Sequence, residues 1–138
     1  MDTLYKTDVL RLAAQATGAG KLADATKSIT VDNPLCGDRV TFDVKMGADG
    51  KIAAVGHTVK GCVLCQASAS VIGANAKGEN AASLGAIRES LKAMLKQGAP
   101  APAGAWATLA TFTPVSGHKS RHECLLLPFE AVIQASSD

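Results

Sequence analysis

Lys60-Gly61-Cys62-Val63-Leu64-Cys65-Gln66-Ala67-Ser68-Ala69-Ser70 is the stretch where the chain changes its periodicity. The residues before it alternate apolar and polar, as in a strand, and those after it are small and helix-compatible. Gly61 reads as the hinge, which puts Cys62 at or just before the first helical turn. Backbone N–H groups there lack intrahelical partners and sit at the positive end of the dipole, so a thiolate is favoured. A cysteine so placed is a nucleophile or a metal ligand. The other reading is a small buried core residue, because cysteines are often buried. The stretch alone leaves both open.

Upstream, Val40, Phe42, Val44 and Met46 alternate with Thr41, Asp43 and Lys45, the clearest strand in the chain. Gly47-Ala48-Asp49-Gly50 closes a hairpin, and the return strand runs from Lys51 to about Lys60 with Ile52, Ala54 and Val59 facing in. Ser28-Ile29-Thr30-Val31 is a shorter strand, ended by the dense turn signal Asp32-Asn33-Pro34-Leu35-Cys36-Gly37-Asp38. Three sequential strands on short connections predict an antiparallel meander. A modest helix is expected over residues 3–16, followed by a small, polar stretch to Lys27 that is expected to be mobile.

Downstream, a helix of small residues is expected over 63–76. Asn80 caps another from about Ala81 to Gln97, with Leu84, Ile87, Leu91, Met94 and Leu95 as its apolar stripe and Gly98 at its end. Ala99-Pro100-Ala101-Pro102-Ala103-Gly104 reads as a surface loop. Trp106–Phe112 is expected to be a short helix, with a break at Pro114–Gly117. A last helix runs from Arg121 to about Ala135, where Pro128 predicts a kink or a late start. The fold class is therefore α+β: a three-stranded antiparallel sheet packed with helices, in a single domain of residues 1–138 with a Pro/Ala-rich loop at 98–104.

With 138 residues the chain can bury a real core without staples. The net charge of +2, with Lys and Arg scattered, argues against nucleic acid or an anionic membrane as partner. There is no window of eighteen apolar residues to span a membrane, and the N-terminal residues lack the apolar core of a secretory signal. A cytoplasmic location is expected, where four cysteines are metal-binding or reactive rather than disulfide-bonded.

Three thiols and a carboxylate fall in separate contexts. Cys36 and Asp38 precede the second strand, Cys62 follows the third, and Cys124 lies near the start of the final helix. In a meander, the entry of one strand and the exit of its antiparallel neighbour share a sheet end, so Cys36, Asp38 and Cys62 can meet. Three thiolates and one carboxylate suit zinc, and also suit iron in a cluster, where the oxygen ligand holds less tightly. Cys65, three residues beyond Cys62, is either an extra thiol at the site or a core residue. His57 reads as a satisfied or solvated imidazole, and His118 and His122 are close enough in sequence to Cys124 to approach the site. Glu123 reads as a solvated acid at a helix start or a spare oxygen ligand. Ser68 and Ser70 lack a local base and are not expected to be nucleophiles.

Three ordered motifs carry a resemblance: Asn33-Pro34-Leu35-Cys36-Gly37-Asp38-Arg39; Gly61-Cys62 with Ala67-Ser68-Ala69-Ser70; and Arg121 to Cys124 with Leu125. Together, over about Leu4 to Val132, the chain resembles the iron–sulfur scaffold family of IscU, SufU and the NifU N-terminal domain, in pattern nearest to SufU-like members. The resemblance implies a carrier rather than an enzyme. Such a carrier receives sulfur from a cysteine desulfurase, builds a transient iron–sulfur cluster and passes it to apo-proteins, as a monomer or homodimer. It implies Cys36, Asp38, Cys62 and Cys124 as ligands. IscU-type members carry His immediately before the last cysteine; here Glu123 stands there, with His122 one step back.

Three readings follow from this. In one the site assembles and transfers a cluster. In another Zn2+ is held by Cys36, Asp38 and Cys62 while Cys124 takes a persulfide, a sulfurtransferase-like role that makes Cys124 the catalytic residue. In a third, zinc is structural and Cys62 and Cys65 form a redox pair. The first is the expectation adopted.

Overall fold

The computed structural model describes residues 7–33 and 37–137. Helix α1 (Thr7–Gln15) precedes strands β1 (Lys27–Asn33), β2 (Asp38–Met46) and β3 (Ile52–Lys60), then helices α2 (Val63–Asn75) and α3 (Ala81–Gln97). A long 3-10 helix (Gly104–Gly117) and a short one (Lys119–Arg121) lead into helix α4 (His122–Ser136). The strands form the expected antiparallel meander in the order β1-β2-β3. Asn33 stands opposite Asp38, Arg39 opposite Lys60 and Phe42 opposite His57. This register places the start of β2 beside the end of β3.

The alternation in β2 sets the two faces of the sheet. Val40, Phe42 and Val44 are fully buried, and helix α4 packs over β1 and β2 while α2 and α3 pack against α4. Of the β3 residues expected to face in, Ile52 is buried, while Ala54 and Val59 are half-buried. The opposite face is polar at its centre: the Thr30 and Thr41 hydroxyls lie 2.7 Å apart, and Arg39 Nε donates to Asp32 Oδ1 at 2.7 Å.

The sequence between α1 and β1, expected to be mobile, is a strap fixed to the sheet. His57 N–H donates to Gly18 O (3.1 Å) and Gly20 N–H to His57 O (2.8 Å), continuing the ladder on the outer edge of β3. Leu22 N–H then donates to Asp43 Oδ2 at 3.0 Å, and Ser28 Oγ donates to Asp43 Oδ1 at 2.6 Å. Gly56 lies beneath the crossing, where a Cβ would collide with Gly20 O. Gly73 of α2 similarly leaves room for Thr17 O, and Ser70 Oγ accepts from Thr17 N–H at 3.1 Å.

Helix α3 keeps its expected bounds because its ends are chemically fixed. Asn80 and Ser83 form a reciprocal capping box, and Gly98 ends the helix at φ 72°. One expectation fails further on. The segment after the Pro/Ala loop is one 3-10 run through Pro114 to Gly117, with no break. Its buried residues, Trp106, Leu109, Phe112 and Val115, recur every third residue, the repeat of a 3-10 helix. Helix α4 passes through Pro128 as one element. Proline lacks the N–H that would bond the carbonyl four residues back, Cys124 O; the next carbonyl, Leu125 O, accepts from Ser68 Oγ of α2 at 2.7 Å.

Candidate metal centre

Three chain segments converge at the sheet end where β2 begins and β3 stops. Asp38 opens β2 on the core-facing side, in line with Val40. Gly61 carries the chain out of β3, and Cys62 follows as the N-cap of α2, with extended backbone (φ −72°, ψ 170°). Cys124 sits in the first turn of α4. One ligand atom each from Asp38, Cys62 and Cys124 lies within 4.8 Å of the others.

Cys62 N–H donates to Asp38 Oδ1 at 3.3 Å, and Gln66 Nε2 holds the Gly61 carbonyl at 3.1 Å. Asp38 is 4% exposed, yet its Oδ2 has no hydrogen-bond partner among the described residues. A buried carboxylate oxygen without a donor is costly unless a cation or proton completes it.

The two thiols differ in access and charge. Cys62 is half-buried, whereas Cys124 is 0% exposed. The Cys124 thiol lies within 4.8 Å of the Cys62 sulfur, and the Cys65 and Leu64 backbone N–H groups support it. Together these hold Cys62 well below the usual thiol range, at about 6, against burial and the Asp38 charge. Cys124 moves the opposite way, chiefly because its proton is engaged by Cys62, with burial and the Cys62 and Asp38 charges adding. The site therefore holds one accessible thiolate backed by a buried thiol, with a carboxylate beside them.

Of the residues singled out from sequence, Asp38, Cys62 and Cys124 come together. Cys36 lies outside the described residues. Cys65 is fully buried in the core and stands outside the three-residue group. His122 is buried, its Nε2 hydrogen-bonding the carbonyls of Val115 and Ser116 at 3.1 Å each; it ties the end of the 3-10 helix to α4. His118 and Glu123 are exposed, so Glu123 takes the solvated reading. His57 is buried, with Nε2 at 2.8 Å from Thr17 O and its ring 5.2 Å from Phe42. Ser68 and Ser70 are buried with backbone partners.

Sequence reasoning gave Gly61 conformational work and missed its packing role. A Cβ there would lie 2.8 Å from Asp38 Oδ1. A glycine immediately before a candidate ligand is the only signal that pointed to it.

The chain is 40% identical to the crystal structure of a nitrogen-fixing NifU-like protein (N-terminal) from Brucella abortus, with a TM-score of 0.90, covering 97% of this chain and 92% of that one. A putative iron–sulfur cluster assembly scaffold protein for the SUF system from Fervidobacterium islandicum shares the fold at TM-score 0.85 and 23% identity, covering 97% of each chain. The iron–sulfur cluster assembly scaffold protein IscU of Thermotoga maritima is 26% identical over 132 residues, 96% of this chain and 92% of that protein. A sequence model of the NifU-like N terminal domain matches residues 4–122, and the chain belongs to that family.

Proposed function

We propose that this protein is a scaffold on which an iron–sulfur cluster is assembled and from which it is handed to apo-proteins. The observation that carries the reading is the buried Asp38 carboxylate, its Oδ2 unpartnered among the described residues, set beside Cys62 and Cys124. Two soft thiolates and a hard oxygen make a donor set that holds iron and yields it. Cys36, two residues before Asp38, supplies the fourth ligand. A cysteine desulfurase is the sulfur source. Sulfur enters at Cys62, the half-buried thiol at the helix N-cap, rather than at Cys124, which lies behind it at 0% exposure. The thiols must stay reduced to work, so the working compartment is the cytoplasm.

The test is anaerobic reconstitution with iron and sulfide, read as iron and acid-labile sulfide per chain together with the visible spectrum. Matched iron and sulfide with a brown chromophore are expected, lost in Cys62→Ala and longer-lived in Asp38→Ala. Zinc alone, with no chromophore after reconstitution, would overturn the scaffold reading in favour of a zinc-bound sulfur acceptor.

A further inference from the structure

Cys62 and Cys124 share a feature that cluster binding does not need. Their sulfurs lie within 4.8 Å of one another, yet they come from the N-terminal ends of two different helices, Cys62 as the N-cap of α2 and Cys124 in the first turn of α4. One is accessible and the other is behind it. This is the arrangement of an attacking thiol and a resolving thiol.

We propose that, when the site carries no metal, Cys62 and Cys124 form a peroxide-reactive pair that closes into a disulfide and shuts the site. The substrate is a small hydroperoxide such as hydrogen peroxide. The Cys62 thiolate attacks one peroxide oxygen; an S–O bond forms, the O–O bond breaks, and hydroxide leaves. Cys62 becomes a sulfenic acid, its sulfur oxidised by two electrons and the peroxide reduced. The Cys124 thiol gives its proton to that hydroxide, forming water. Its sulfur attacks Cys62, the S–O bond breaks, and the leaving hydroxide takes a proton from solvent. Two thiols and one hydrogen peroxide thus give one disulfide and two waters.

A disulfide spans about 2.05 Å, so the sulfurs must approach by less than about 3 Å, a movement open to the half-exposed Cys62 side chain at the edge of α2. Cys65 is a poor competitor because it is fully buried in the core. The disulfide consumes two of the groups nearest Asp38, so the oxidised protein cannot take metal until a dithiol reductant opens it. This last consequence rests on the scaffold reading; the disulfide itself does not.

The experiment uses the full chain, stripped of metal with a chelator, exposed to stoichiometric hydrogen peroxide and then alkylated. Expected are the loss of two of the four thiols, an intact mass lower by two hydrogens, and a peptide linking Cys62 to Cys124, all reversed by dithiothreitol. Cys65→Ala should leave the link in place, which separates Cys62 from its neighbour in the same peptide. In Cys124→Ala, Cys62 should accumulate as a dimedone-reactive sulfenic acid and proceed to sulfinic acid. A wild-type link from Cys62 to Cys36 or to Cys65, or direct passage of Cys62 to sulfinic acid with Cys124 unmodified, would overturn the proposal. The wild-type arm decides even if Cys124→Ala fails to fold.

Discussion

A Cβ on Gly61 would stand 2.8 Å from Asp38 Oδ1 and 2.9 Å from its carboxyl carbon, distances at which something must move. Asp38 has little freedom, since its Oδ1 accepts the Cys62 N–H and the residue is 4% exposed. Gly61→Ala should therefore displace the carboxylate from the thiols rather than unfold the sheet. Overpacking of this kind costs about 1–3 kcal/mol. Loss of support for a metal ligand typically lowers affinity about 10- to 100-fold, so zinc binding, measured by competition with a chromophoric chelator, should weaken at least about ten-fold. Gly85→Ala is the control: it lies inside α3 with open space where its Cβ would go, and should gain roughly 0.5–1 kcal/mol of stability with zinc affinity unchanged. Equal zinc affinity in Gly61→Ala and wild type would remove the packing role assigned to Gly61. The same residue shows how far the sequence reaches at this scale. Its place between strand and helix could be read from the change in periodicity, but its contact with a side chain two strands' worth of sequence away could not.

At the scale of the element, the 3-10 helix over Gly104–Gly117 is held by side chains on a three-residue repeat: Trp106, Leu109, Phe112 and Val115 are buried. Trp106 Nε1 also donates to Glu79 Oε2 at 3.0 Å, and its ring lies 6.0 Å from Phe129. Runs of 3-10 helix are usually short because eclipsed side chains and poorer hydrogen bonds disfavour them; here the eclipsed row is the buried row, and core packing outweighs the backbone cost. Leu109→Ala should lose about 2–5 kcal/mol, whereas Thr108→Ala, on the exposed side, should stay within roughly 0.5 kcal/mol of wild type. Urea unfolding of the two variants checks this, and a Thr108 loss as large as that of Leu109 would contradict the assigned register. The elements legible in the sequence were those with local signals: the alternation of β2, the Asn80 cap and the Gly98 stop of α3, and the strand-to-helix change before Cys62. The 3-10 helix was foreseen only as a short helix over Trp106–Phe112, because Pro114 and Gly117 read locally as a break while the buried row that carries the helix through them depends on distant packing. Of the two outcomes that Pro128 left open, a kink or a late start, the late start did not occur, since α4 begins at His122.

At the scale of the molecule, helices cover one face of the sheet and the strap crosses part of the other at Gly56 and Asp43, and His57 joins the two. Its backbone pairs with Gly18 and Gly20 of the strap, while its ring lies on the helical side against Phe42 with Nε2 toward Thr17 O. The meander could be read from the sequence, and with it the meeting of Asp38 and Cys62. The strap could not, because its bonds are mostly backbone groups meeting a distant strand, and such bonds leave no composition signal. This junction gives the fold a pH dependence of definite sign. Burial lowers the His57 pKa, outweighing the opposing hydrogen bond to Thr17, so the ring is neutral in the fold. The unfolded chain takes up a proton as pH falls through about 6.5. It then binds more protons than the folded chain, so stability rises with pH in that range. The His57 contribution is complete above pH 6.5 and is lost on acidification until the folded ring itself titrates. One proton is worth at most about 1.4 kcal/mol per pH unit, or roughly 3–5 °C in Tm for a domain of this size. His57→Gln keeps an N–H near the Nε2 position and removes the titration. Its Tm should be lower at pH 7.5, because the ring contact with Phe42 is lost, but should fall less steeply between pH 7 and pH 5 than that of wild type. Parallel Tm-against-pH curves for the two proteins would show that the imidazole joining strap and sheet is not what makes this fold sensitive to acid.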